Sequence, residues 1–147
     1  MKVSHVTILH IDDDPNDVML FEHACQKAGV YFDLHAVHDG DDAIAYLGGT
    51  GAFADRTKHP FPQLILLDLK MPRVNGFDVL GWIRSREEFK KLPVIVLTSS
   101  NHETDVKHAH ALGASTYLVK PVGFDSLVEL AKTVQNFWQN LAETTLA

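Results

Sequence analysis

Cysteine is nearly absent from this 147-residue chain: Cys25 is the one copy, which excludes an intramolecular disulfide and a cysteine-built zinc site. Basic residues are outnumbered, 13 Lys and Arg against 19 Asp and Glu, for a formal net charge of −6. No broad basic field exists to hold a phosphate backbone, so nucleic acid is not an expected ligand. No apolar run approaches the roughly 18–20 residues that cross a bilayer, so no membrane partner is expected either. Met1-Lys2-Val3-Ser4-His5 leads straight into a short apolar run without a signal-peptide pattern. Repeats, low-complexity tracts and Ser/Gly-rich linkers are missing as well. These absences predict one domain over residues 1–147, with its core at about 5–135, soluble in a reducing cytoplasm.

What the chain does contain is an alternation of short apolar runs and helical patterns. Val6-Thr7-Ile8-Leu9-His10-Ile11 reads as a first strand, broken by Asp12-Asp13-Asp14-Pro15. Over residues 16–28, Val18, Phe21, Cys25 and Ala28 fall at helical spacing, and Gly29 supplies a stop. Residues 31–37 form a second, weaker strand, and residues 41–47 a short helix ending at Gly48-Gly49. Leu64-Ile65-Leu66-Leu67 is continuously apolar, as a strand buried on both faces should be. A helix over about 77–86, a strand at 93–97, a helix opened by the capping-box pattern Ser100-Asn101-His102-Glu103, a strand at 115–119 and a last helix over about 124–142 complete the series. Five strand–helix units in succession predict an α/β fold: a doubly wound parallel sheet with helices on both faces and right-handed crossovers. The stretch from Gly48 to Pro62 is long for a connection of this kind, where roughly 2–6 residues is usual. It reads as a surface insertion, with a partner-binding role for Phe53 and Phe61 as the alternative.

In open α/β sheets chemistry gathers beyond the carboxyl ends of the strands. There the first strand delivers Asp12 and Asp13, the third Asp68, the fourth Thr98, and the fifth Lys120-Pro121. Asp14 followed by Pro15 fits a helix cap with proline at the first helical position. Adjacent acids at the end of a buried strand repel one another unless a cation sits between them, and three carboxylates suit a small hard ion such as Mg²⁺. A carboxylate can also be a nucleophile toward phosphorus. Such a transfer needs positioning and neutralised phosphoryl oxygens more than covalent help. Mg²⁺, Lys120 and the Thr98 hydroxyl could each cover one oxygen.

At this point the chain resembles the receiver domain of two-component response regulators. The likeness runs from Ile8-Leu9-His10-Ile11-Asp12-Asp13 through Leu67-Asp68-Leu69-Lys70-Met71-Pro72, Asn75-Gly76, Leu97-Thr98-Ser99-Ser100 and Tyr117-Leu118-Val119-Lys120-Pro121 into the last helix. Each motif is weak alone; five in order at strand ends are specific. The long loop before the third strand makes the chain similar to the stand-alone regulators that pair with bacterial phytochromes.

The resemblance implies a flavodoxin-like five-stranded sheet in the order 2-1-3-4-5 and a phosphoacceptor at Asp68. It also implies Mg²⁺ ligated by Asp13, Asp68 and the backbone carbonyl of Lys70, with Asp12 acting largely through a bound water. Lys120 would pair with the phosphoryl group through a cis bond to Pro121. Thr98 and Tyr117 would be the switch pair, the hydroxyl turning toward phosphate while the ring moves inward. The surface of the fourth helix, fifth strand and fifth helix then changes shape for partners. Those partners would be a sensor histidine kinase, of which a bacterial phytochrome is the suggested case, and a downstream protein or phosphotransfer partner. A homodimer through the same surface is a further implied partner. Activity would be limited to self-phosphorylation and self-dephosphorylation. Position 70 departs from the short polar residue many receivers carry there, and the bulk of Lys70 is expected to slow phosphate loss.

Two other functions compete. A haloacid dehalogenase-like hydrolase requires a second aspartate two residues after its nucleophile, where this chain has Lys70. A degenerate receiver acting as a scaffold fits poorly with Asp12, Asp13, Asp68, Thr98 and Lys120 all in place. Nine histidines make no metal pattern: His108 and His110 lie two apart on one helix, and His35 and His38 flank the end of a strand. The last helix carries Leu127, Leu130, Ala131, Val134, Phe137, Trp138 and Leu141, a face wider than one sheet contact needs, so Phe137, Trp138 and Leu141 are expected at an interface.

Overall fold

The computed structural model describes residues 6–146, so the start at residues 1–5 discussed above lies outside the described residues. Its strands are β1 (Val6–Ile11), β2 (Phe32–Val37), β3 (Leu64–Leu67), β4 (Val94–Thr98) and β5 (Thr116–Val119). Between and after them run α1 (Pro15–Ala28), α2 (Gly40–Gly48), α3 (Gly76–Ser85), α4 (Glu103–Ala111) and α5 (Phe124–Leu146). The strands form one parallel sheet in the order β2-β1-β3-β4-β5. The order reverses between β1 and β3, which opens a crevice at their carboxyl ends.

The two-sided burial of β3 follows from its period-2 geometry. Ile65 and Leu67 join Leu9, Ile11, Val94 and Val96 against α2 and α3, in a core completed by Tyr46, Leu47, Leu80 and Ile83. Leu64 and Leu66 point the other way, with Ile8, Ile95 and Leu97, onto Phe21 of α1 and Ala131 and Val134 of α5. Each of the four β3 side chains is fully buried, worth about 1.5–3 kcal/mol apiece relative to exposure.

The caps explain where helices begin. Asp14 caps α1 by accepting from the Asn16 N–H at 2.9 Å, with Pro15 at the first helical position, and Gly29 ends the helix at φ 72°. In α3 a true capping box forms: Asn75 accepts from the Asp78 N–H at 3.0 Å and Asp78 accepts from the Asn75 N–H at 3.2 Å. The box expected at Ser100–Glu103 does not form. Helix α4 starts at Glu103 after His102, with no side-chain cap; the Ser100 hydroxyl donates to Asp105 instead, one turn further on.

The long connection before β3 is held by its own side chains. Arg56 donates to the carbonyls of Tyr46, Leu47 and His59 at 2.8, 3.0 and 3.1 Å. Phe53 and His59 pack on the Tyr46 ring, and Phe61, still exposed at 41%, stacks on Phe89. Helix α5 packs on α1, with Phe137 and Trp138 half-buried against that side of the core. Part of the face assigned to an interface is therefore covered within the chain. Among the described residues, no helix is long and apolar enough to cross a membrane.

Candidate functional site

Strand register assembles the site. Ile11 pairs with Leu67 across β1 and β3, so Asp12 and Asp68 leave the sheet side by side; the Asp68 N–H donates to the Ile11 carbonyl at 2.9 Å. Thr98 pairs with Val119 across β4 and β5, and the Lys120 N–H donates to the Thr98 carbonyl at 2.7 Å. All five residues read from the sequence thus meet at one rim.

Asp12 and Asp68 are buried while Asp13 is exposed, and one carboxylate oxygen from each lies within 4.8 Å of the others. These are hard oxygen donors on three side chains, a set that fits Mg²⁺ or another hard divalent ion rather than a soft one. The Lys70 N–H donates to Asp68 Oδ1 at 3.2 Å, and the residue is exposed. The β3–α3 loop is clamped from behind by Gly76, whose N–H donates to the Leu69 carbonyl at 3.0 Å. A Cβ there would stand 2.2 Å from the Asp68 carbonyl oxygen, so only glycine permits this approach.

The Lys120 ammonium reaches Asp12 Oδ2 at 2.7 Å and Asp68 Oδ2 at 3.3 Å. It does so through a trans bond to Pro121, since the described residues contain no cis peptide bond, contrary to the expectation. The energetic preference between the isomers of an X–Pro bond is small, and in the trans form the ammonium already contacts its acidic partners. Burial works against the Lys120 charge, but the hydrogen bonds and charges of its carboxylate partners outweigh it and raise the pKa above the ordinary lysine value. Burial pushes the Asp12 carboxyl up to about 6, against the opposing pull of Lys120.

Thr98 is fully buried and its hydroxyl has no hydrogen-bond partner among the described residues. Such a group costs about 1–3 kcal/mol, and it stands at the end of the strand that borders Asp68. Tyr117 packs half-buried beside the α4 side of the core, its hydroxyl donating to the Ser100 carbonyl at 2.8 Å.

Two neighbours were not read from the sequence. Asp17, in the first turn of α1, pairs with Lys120 at 2.7 Å; an acid there reads as helix-terminus chemistry, and nothing local points to a lysine 103 residues away. His10 is 3% exposed, sits edge-on to the Phe21 ring at 5.5 Å and lies 3.8 Å from Asp12. A titratable ring set between the apolar residues Leu9 and Ile11 was the available signal. Of the other histidines, His38 also touches the site, its ring nitrogen 3.0 Å from the Asp12 carbonyl oxygen, while His35 pairs with Asp33 and His108 stacks on Phe77.

Comparison with known proteins agrees with this geometry. The family model for the response regulator receiver domain matches residues 8–132. The chain is 32% identical over 131 residues to the response regulator Rcp1 of Synechocystis, covering 89% of this chain and 87% of that protein. It is 30% identical over 131 residues to a probable methanogenesis regulatory protein, FilR2, of Methanothrix harundinacea, covering 89% and 82%. Among solved structures, a response regulator in red light signaling of R. palustris superposes with a TM-score of 0.86 at 34% identity, covering 92% of this chain and 94% of that one. The phosphorylated cyanobacterial phytochrome response regulator RcpA gives 0.83 at 33%, covering 92% and 95%. The manganese-bound form of Rcp1 gives 0.79 at 32%, covering 90% and 94%. With the sheet order, the acidic rim and these likenesses in agreement, the chain belongs to the response regulator receiver family and is a two-component response regulator.

Proposed function

We propose that this chain works as one receiver unit in the cytoplasm, with Asp68 as its phosphoacceptor. An Asp68 carboxylate oxygen attacks the phosphorus of a phosphohistidine on a sensor kinase. The new O–P bond forms as the P–N bond breaks, and the electron pair leaves with the imidazole, which takes up a proton. Asp13, Asp68 and the Lys70 carbonyl would hold Mg²⁺ directly and Asp12 through water; when bound, the ion supplies positive charge to a phosphoryl oxygen. Lys120 neutralises a second oxygen and the Thr98 hydroxyl donates to the third. Hydrolysis later returns Asp68 to its carboxylate, so turnover is confined to the protein's own phosphorylation and dephosphorylation.

The observation that carries this reading is the Lys120 ammonium 3.3 Å from Asp68, beside three carboxylates that converge within 4.8 Å. The unpartnered Thr98 hydroxyl supports it, because donating to a phosphoryl oxygen would remove its cost. Thr98 and Tyr117 then act as the switch pair. Output passes to a downstream protein or phosphotransfer partner, or to a second copy, through the α4–β5–α5 face, where Val119, Val122 and Phe124 are 43%, 97% and 41% exposed. Likeness to phytochrome regulators supports a bacterial phytochrome as the kinase.

Incubation with a small acyl phosphate and Mg²⁺, followed by intact-mass measurement, tests the reading. Wild type is expected to gain the mass of one phosphoryl group and Asp68→Asn none. Equal labelling of both would overturn it, and rapid turnover of external phosphoesters would favour a hydrolase.

A further inference from the structure

Lys120 has three N–H donors and three carboxylate neighbours, but they are not shared evenly. Asp12 and Asp17 each approach Nζ to 2.7 Å, whereas Asp68 stands at 3.3 Å. In the resting arrangement the ammonium donates hydrogen bonds to Asp17 of α1 at 2.7 Å and, more loosely, to Asp68 at 3.3 Å, with Asp12 as a close ion pair. A phosphoryl group on Asp68 adds about 1.5–2 negative charges there, and the ammonium must then give up a partner to meet it.

The two short contacts differ in what release would cost. Asp12 is fully buried, and losing the ammonium would leave its charge without a counter-ion in the protein interior. Asp17 is 36% exposed. It lies in the first turn of α1, where the helix dipole favours a carboxylate even without a cation. It also borders a cavity of about 210 Å³ between α1 and α5, lined by Leu20, Phe21, Phe124 and Leu127, with Lys120 at its edge. There is room for the carboxylate to turn and for water to take over its hydrogen bonds.

We infer that Asp17 is a positioning residue that competes with phosphorylated Asp68 for the Lys120 ammonium and is the partner released when the phosphoryl group arrives. The inference rests on Asp68 as phosphoacceptor. It makes α1 a second element that senses the state of the site, separate from Thr98 and Tyr117. Removing the Asp17 charge frees the ammonium for Asp68 and reduces the repulsion met by an anionic phosphodonor.

Three proteins test it: wild type, Asp17→Asn and Asp17→Glu. At low ionic strength, Asp17→Asn is expected to be phosphorylated by a small acyl phosphate about two- to fivefold faster than wild type, the range for a partly exposed ion pair. The gain should shrink as salt is added, and Asp17→Glu should return to the wild-type rate. In metal-free protein without phosphodonor, the ¹⁵N resonance of the Lys120 side chain should move in Asp17→Asn and return toward its wild-type position in Asp17→Glu. An Asp17→Asn rate equal to or below wild type, or a Lys120 resonance unmoved by that change, would overturn the inference. Labelling that survives Asp68→Asn would instead defeat the functional reading, and the metal-free resonance would still report on Asp17.

Discussion

His10, 3.8 Å from Asp12, illustrates how one side chain can burden the fold beside a site. Burial, reinforced by repulsion from Lys120, holds its pKa down at about 3 against an ordinary 6.5. Between those values the unfolded chain binds a proton that the folded chain refuses, so the His10 contribution to stability is intact above pH 6.5 and is lost as pH falls toward 3. Asp12 runs the other way: raised to about 6 from 3.8, mainly by burial, it binds its proton first in the folded state and favours folding as pH drops through that window. A His10→Leu variant separates the two. Its unfolding free energy should gain on wild type by about 1.4 kcal/mol per pH unit below about pH 6; parallel urea-melting curves across pH would contradict this. Lys70 gives a second residue-scale expectation. Its N–H donates to Asp68 while its side chain is exposed; on the proposal that this side chain slows phosphate loss, Lys70→Asn should lose phosphate faster than wild type. An unchanged or slower rate would reject that role.

Among the elements, the β3–α3 loop bears most directly on the site. Gly76 lets α3 start against the Asp68–Leu69 backbone, and Gly76→Ala would force its Cβ onto the Asp68 carbonyl at 2.2 Å. The expected result is a loss of about 1–3 kcal/mol of stability by urea melting, with weaker divalent-ion binding because the loop carrying Asp68 must shift. Unchanged values for both would show that the clamp is unimportant. The same scale explains what was readable in advance. Strands β3 and β4 were legible because continuous apolar residues fit a sheet covered on both faces, and α1 because Asp14-Pro15 and Gly29 mark its ends. The start of α4 was misread because Ser100 has a nearby competitor: Asp105 takes its hydroxyl, and a capping pattern does not reveal which acceptor wins. The Asn75–Asp78 box was passed over because aspartate replaces the usual glutamate.

For the molecule as a whole, Asp12, Asp13, Asp68, Thr98 and Lys120 were legible because parallel topology sends every strand end to one rim. Asp17 was not, because its partner is distant in sequence and the pairing depends on how α1 packs against α5, the helix that follows Lys120. Helix α5 raises the remaining question at this scale. Phe137 and Trp138 already pack against the α1 side of the core, while Val122 and Phe124 remain exposed near its start. If α5 also joins two copies, truncation after Gln135 should reduce association in sedimentation velocity; unaltered association would count against that interface. The central claim, an acidic side chain that accepts phosphorus with a divalent ion and a lysine around it, is tested most directly by trapping the acceptor itself. Protein treated with a small acyl phosphate and Mg²⁺ should, after borohydride reduction and peptide mapping, carry homoserine at position 68, with none formed when the divalent ion is chelated. Reduction at any other residue, or labelling that does not depend on the ion, would contradict the account.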